Sequence, residues 1–108
     1  RGIPRIKRYY NEMDGIPIRD VWSDISSIQS GEKLNYATQK PIKLLERIVT
    51  LYTDEGDYCL DCFAGSGTLG RACLNLDRKF YLIDINDKGK NIFESSIVQN
   101  NLNGFFGE

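Results

Sequence analysis

Apolar residues fall at helical spacing in three stretches of the chain and crowd into short runs in two others. Leu44, Leu45, Ile48, Val49 and Tyr52 share one face of a helix that opens at Pro41, while Lys43, Glu46, Arg47 and Thr50 take the other face. Proline suits a first helical position, where its missing N–H would have no partner anyway. Asp54-Glu55-Gly56-Asp57 is turn chemistry and ends that helix. Residues 58–62 form a short apolar strand with Asp61 near its end. The loop Ala64-Gly65-Ser66-Gly67 follows, and Leu69, Ala72, Cys73 and Leu76 then outline a second amphipathic helix. Beyond the turn at Asp77-Arg78, residues 80–85 are nearly all apolar, as in a strand covered on both faces. A third helix is predicted over 87–99, with Ile92, Phe93 and Ile97 as its apolar contacts. Upstream, Asp14-Gly15 reads as a turn, 16–22 as a short strand or extended connector, and 26–32 as a loop. The Asn/Gly-rich tail 100–108 is expected to fray. The order helix, strand, Gly loop, helix, strand, helix is a strand–helix–strand unit with a helix in front. It predicts an α/β fold with a parallel sheet and helices on its faces.

A length of 108 residues allows one small domain. Net charge is −1, so the chain as a whole is no magnet for polyanions. The charge is uneven, however. The first eight residues hold Arg1, Arg5, Lys7 and Arg8 and no acid, leaving 10 of the 14 basic residues against all 15 acidic ones in the rest. With Tyr9 and Tyr10 beside it, this strip is a candidate for nucleic-acid phosphate contact through Arg5, Lys7 and Arg8; an ordinary solvated terminus accounts for it equally well. No apolar run approaches the roughly 20 residues that span a bilayer, so no membrane partner is expected. The opening Arg1-Gly2-Ile3-Pro4-Arg5 has neither a signal peptide nor a Met, which suggests a fragment or a processed chain. Cys59, Cys62 and Cys73 are an odd set with no His anywhere. That favours a reducing, cytoplasmic setting and small packing side chains over a zinc site.

The chemistry concentrates between Asp61 and Asn86. A Gly-rich turn from strand to helix lets backbone approach a ligand and aims free helix N–H groups at it. Asp84 ends the next strand, where an acid can accept both hydroxyls of a ribose. A nucleoside-bearing cofactor follows. Gly65, Gly67 and Gly70 also spell G-x-G-x-x-G, which makes dinucleotide binding the rival reading. Asp61 argues against it on charge grounds: a carboxylate there repels a pyrophosphate but suits the ammonium of an amino acid. S-adenosylmethionine has that ammonium and no phosphate. Blander roles exist for each residue. Gly65 and Gly67 can serve only a tight turn, Asp84 can cap the helix starting near Asp87, Thr38 can cap the helix after Pro41, and Lys40 can be a solvated lysine. A cation is nevertheless disfavoured at a helix N-terminus, and an anionic ligand would explain it.

Asp61-Cys62-Phe63-Ala64-Gly65-Ser66-Gly67-Thr68 resembles the D-P-F-x-G-S-G-T cofactor loop of the S-adenosylmethionine-dependent DNA amino-methyltransferases, which modify adenine N6 or cytosine N4. Tyr36-Ala37-Thr38-Gln39-Lys40-Pro41 is similar to the Y-P-T-Q-K-P segment that precedes it, and Tyr81-Leu82-Ile83-Asp84-Ile85-Asn86 to the second strand of the same family. Cys62 and Ala37 each stand where the family has Pro. The resemblance covers roughly residues 20–99 and implies a Rossmann-like methyltransferase fold, a partial parallel sheet with helices on both faces. Residues 1–34 would be a connector at the end of the DNA-proximal, target-recognising segment, and 35–108 the cofactor-binding part. The implied roles are Asp61 for the methionine ammonium, Thr38 and Lys40 for its carboxylate, and Phe63, Gly65, Ser66 and Gly67 for the methionine and sulfonium region. Asp84 would take the ribose hydroxyls, with Ile85 and Asn86 on the adenine side. The family's catalytic loop, [D/N/S]-P-P-[Y/F/W], holds the flipped-out base. Pro4, Pro17 and Pro41 are the only prolines, so no catalytic residue is assigned in this chain. The expectation is a C-terminal part completed by an upstream catalytic part, acting on DNA and prone to self-association when isolated. A subunit completed by another chain, a non-catalytic DNA-binding or structural remnant, and a dinucleotide-binding module are the alternatives.

Overall fold

The computed structural model describes residues 17–101. After a 3-10 turn at Ser30–Glu32, the elements are α1 (Ile42–Tyr52), β1 (Tyr58–Asp61), α2 (Thr68–Asn75), β2 (Lys79–Leu82) and α3 (Asp87–Asn101). The strands pair in parallel, Tyr58 opposite Lys79 and Asp61 opposite Leu82. This is the expected strand–helix–strand unit of a Rossmann-like fold with a partial sheet. The basic strip with Arg5, Lys7 and Arg8, the Asp14-Gly15 turn and the tail from 102 onward lie outside the described residues. Residues 17–22 form an irregular connector that bends at Asp20 and Val21 and contains no strand. It is fastened to α1 by Arg47, which pairs with Asp24 through both guanidinium amino groups and lies over the Trp22 ring, 5.1 Å from its centroid.

Pro41 keeps an extended backbone (φ −62°, ψ 134°) and precedes α1, where its carbonyl accepts from Leu44 N–H at 3.2 Å. The helix therefore opens at Ile42, one residue later than expected. The apolar stripe is less buried than its periodicity implies. Val49 is sealed (2% exposed) and Leu44 and Leu45 are half-buried, but Ile48 and Tyr52 are open, Tyr52 at 81%. A stripe that wide needs neighbours on both flanks, and among the described residues α1 packs chiefly on α2. Arg78 closes the far end. Its Nε and Nη2 donate to the Thr53 hydroxyl and carbonyl at 3.1 and 2.8 Å, joining the end of α1 to the start of β2.

The sheet is covered unequally. Phe80 and Leu82 are half-buried under α2 and α3, with Phe80 edge-on to Phe93 at 5.6 Å. On the opposite face Tyr58, Leu60, Tyr81 and Ile83 are each 54–63% exposed, Tyr58 stacking on Tyr81 at 5.7 Å. The apolar run 80–85 suggested cover on both faces; among the described residues the helices lie against one. β2 also ends at Leu82, three residues short of that run, and Ile85 is fully exposed. Of the cysteines, Cys73 is buried on α2, Cys59 half-buried on β1, and Cys62 exposed rather than packed, because β1 ends at Asp61 and Cys62 begins the turn. Burial first, and then the neighbouring Cys59, push the Cys73 thiol up to about 12, so it is an inert packing group. Among the described residues no helix is long and apolar enough to cross a membrane.

Candidate functional site

The carboxyl ends of both strands are pinned together beyond their regular pairing. Ile83 N–H donates to the Asp61 carbonyl at 2.8 Å, and Ala64 N–H to the Ile83 carbonyl at 3.0 Å. Asp61 and Asp84 thus sit on one rim, beside the loop that enters α2. Each carboxylate holds part of that rim. Asp61 Oδ1 accepts from Phe63 N–H at 2.9 Å. Asp84 Oδ2 accepts from Gly65 N–H and Oδ1 from Asn86 N–H, both at 2.8 Å. The Gly65 amide, then the Asn86 amide, hold the Asp84 carboxyl below its ordinary value, because both bonds favour the charged form. Asp84 is not the cap of α3. Asn86 is, its Oδ1 accepting from Lys88 N–H at 2.9 Å.

The loop has two conformational demands that side chains resist. Gly65 and Gly67 both have positive φ, and Gly67, at +76°, is the left-handed residue from which α2 starts. A Cβ on Gly67 would lie 2.5 Å from the Phe93 ring, and one on Gly70 would meet Phe93 and Leu82 within 2.8 Å. The second and third glycines of the G-x-G-x-x-G string therefore admit α3. Gly65 faces Tyr36 instead, whose ring would be 3.4 Å from an added Cβ.

A cavity of about 280 Å³ opens at this rim. Thr38, Lys40, Asp61, Phe63, Gly65 and Ser66 line it. Phe63 is 89% exposed at the mouth. The structure thus brings Thr38, Lys40, Asp61, Phe63, Gly65 and Ser66 around one space. Asp84, Asn86 and Gly67 line an adjoining depression against α3, and Ile85 projects into solvent. The first amide of α1 is met by the Glu32 carboxylate and not by Thr38, so Thr38 does not have the capping role. The roles read from the sequence do not include Thr68, although it closes the Asp61–Thr68 string. It is buried, its hydroxyl within 3.3 Å of Ser66 Oγ and donating to the Lys40 carbonyl at 3.4 Å, so it joins loop to wall. Gly89 was missed as well. It is buried where the first turn of α3 crosses the Gly65 carbonyl, and an isolated glycine inside a predicted helix was the available signal. Arg71, on α2, keeps its Nε and Nη2 buried with no acceptor among the described residues. Burial lowers the pKa of this guanidinium, and the Glu32 carboxylate works against that.

Comparison with known proteins gives a consistent result. The profile of a family described as DNA methylase, of the N6/N4 type, matches residues 4–95. The chain is 44% identical over 88 residues to the type II methyltransferase M2.DpnII of Streptococcus pneumoniae, covering 74% of this chain and 32% of that protein. It is 43% identical over 75 residues to M.BamHI of Bacillus amyloliquefaciens, covering 67% and 18%. Among solved structures it resembles the M1.HpyAVI–SAM complex, with a TM-score of 0.63 and 36% identity over 68% of this chain and 36% of that one. The chain thus spans about a third or less of the length of these relatives.

Proposed function

Because this chain belongs to the N6/N4 DNA methylase family, we propose that it is the S-adenosylmethionine-binding, C-terminal part of a longer DNA methyltransferase. That enzyme would move a methyl group to the exocyclic amine of adenine (N6) or cytosine (N4). The observation that carries the reading is the cavity that Lys40 and Asp61 both line, beside a Gly loop tied to Asp84. A cation and an anion lining one small space match the zwitterionic end of an amino acid, and a pyrophosphate would meet the Asp61 charge. Lys40 and Thr38 take the carboxylate, and Asp61 takes the ammonium. Phe63, Gly65 and Ser66 line the methionine and sulfonium region. Gly67, sealed under Phe93, contributes by shaping that loop. Asp84 uses one lone pair of each oxygen on backbone amides, which leaves acceptor capacity for two ribose hydroxyls. Ile85 and Asn86 border the adenine side. S-adenosylmethionine supplies an electrophilic methyl on a sulfonium. The task of this chain is to bind and orient it, since in-line positioning supplies much of such a rate enhancement.

The 108 residues contain no Pro-Pro pair, so the base-holding loop is assigned to the upstream part of the protein. Residues 35–108 would be the cofactor part, and 1–34 would lead into it from the DNA-proximal segment, with Arg5, Lys7 and Arg8 as its candidates for phosphate contact. A cytoplasmic enzyme acting on DNA is the setting. The bare sheet face at Tyr58, Leu60, Tyr81 and Ile83 is what that upstream part covers. Isolated, the chain should bury this face against a second copy. Light scattering is expected to show an average mass that rises with concentration; a monodisperse monomer at every concentration would remove self-association.

Calorimetric titration with S-adenosylhomocysteine beside NAD tests the cofactor reading. Heat with the former and none with the latter is expected. The reverse would mean that G-x-G-x-x-G reports a dinucleotide site.

A further inference from the structure

Thr38 and Lys40, which wall the cavity, lie in a loop between the 3-10 turn and α1 that has no regular structure of its own. Its conformation is set by two side chains. The Gln39 amide clamps the loop onto itself: Nε2 donates to the Glu32 carbonyl at 2.7 Å and Oε1 accepts from Leu34 N–H at 2.7 Å. The Glu32 carboxylate then reaches ten residues forward and accepts from Ile42 N–H at 2.6 Å. That amide is the first of α1, a helix whose own cap residue, Pro41, has no side chain able to serve it. Both Gln39 and Glu32 are half-buried, so their bonds are not readily exchanged for water. At the other end, the Thr68 hydroxyl holds the Lys40 carbonyl. Thr38 and Lys40 are thus held in a segment fixed by a clamp and a cap.

We infer that Gln39 and Glu32 are positioning residues for the amino-acid half of the bound cofactor: they aim Thr38 and Lys40 into the cavity, and Asp84 and the sheet rim hold the nucleoside half without them. This rests on the proposed cofactor reading and adds to it a division of labour. Neither residue lines the cavity. Their effect is therefore on how tightly the carboxylate and ammonium end is held.

The test compares two ligands on the complete polypeptide that carries these residues. S-adenosylhomocysteine has both halves, and 5′-methylthioadenosine has the nucleoside and thioether without the amino acid. Gln39→Leu removes both clamp bonds at similar volume. It is expected to weaken S-adenosylhomocysteine by about tenfold or more and leave methylthioadenosine within about twofold. Glu32→Gln keeps a carbonyl oxygen for Ile42 N–H and should retain most of the affinity that Glu32→Ala loses. Methylthioadenosine binding doubles as the folding control, since a collapsed variant would lose both ligands. Unchanged S-adenosylhomocysteine affinity in Gln39→Leu, or equal loss of both ligands, overturns the inference alone. A wild-type protein that binds neither ligand overturns the cofactor reading and this inference with it.

Discussion

Gly89→Ala should destabilise the protein and weaken cofactor binding, although helix propensity points the other way. In an open helical position alanine is favoured over glycine by about 1 kcal/mol. Gly89 is not in the open. A Cβ there would lie 1.9 Å from the Gly65 carbonyl oxygen and 2.9 Å from its carbon. Both are backbone atoms, so no rotamer change relieves the contact. The first turn of α3 and the Gly loop must separate by more than 1 Å, judged against an ordinary contact of 3.4 Å. Overpacking of this kind costs about 1–3 kcal/mol and occasionally more. Because both clashing atoms are backbone, the cost falls above the lower end of that range and outweighs the propensity gain, for a net loss of up to about 2 kcal/mol. In a domain of this size that lowers Tm by about 4–8 °C per kcal/mol. Because Gly65 is the residue displaced, S-adenosylhomocysteine affinity should fall by more than the stability change alone implies. A calorimetric melt and a titration on the same sample read both quantities. A raised Tm with unchanged affinity would show that α3 does not press on the loop as described.

Asp84→Ala should weaken S-adenosylhomocysteine by about tenfold to a hundredfold, the range for losing charge-assisted bonds to two hydroxyls. Asp84→Asn should lose less, since one oxygen can still accept. The carboxylate has two tasks: it orders the loop through Gly65 N–H, and it offers its remaining lone pairs outward. An adenosine analogue lacking the ribose hydroxyls separates them. If the second task dominates, wild type and Asp84→Ala bind that analogue alike. Titration fixes the pH window. The folded carboxyl titrates below its ordinary value of 3.8, so what the charged form contributes to the loop is complete above that value. It is lost only as pH falls through the lowered one. Affinity governed by Asp84 should stay level down through the usual carboxylate range and drop in stronger acid. A decline centred at pH 6 or above would assign the dependence to another group.

Much of this architecture was readable along the chain. The alternation of helical stripes with short apolar runs announces α1, β1, α2, β2 and α3 in order, because burial against a neighbour leaves a period of 3.6 or a short saturated run. Where the reading slipped, the cause was non-local. Residues 80–85 are apolar on both faces, which says that both can be covered but not by what. Only the packed chain shows Phe80 and Leu82 under helices while Tyr81 and Ile83 face outward. Ile48 and Tyr52 carry the same period as Val49, yet of the three only Val49 is sealed.

The site divides in the same way. Sequence by itself pointed to the family and named the candidate members: Thr38, Lys40, Asp61, Gly65 and Asp84 stand in strings specific enough to single out before any coordinate is known. Tertiary structure alone decided what each does mechanically. Asp84 ties to Gly65 across 19 residues, Gly67 and Gly70 make room for Phe93, Gly89 lies on the Gly65 carbonyl, and Glu32 reaches the first amide of α1. The physical reason is that local pattern records how much a residue gains from leaving water or from a turn. A hydrogen bond or a close approach between distant segments depends on the distance at which their elements pack, and that distance is set by all the side chains between them at once.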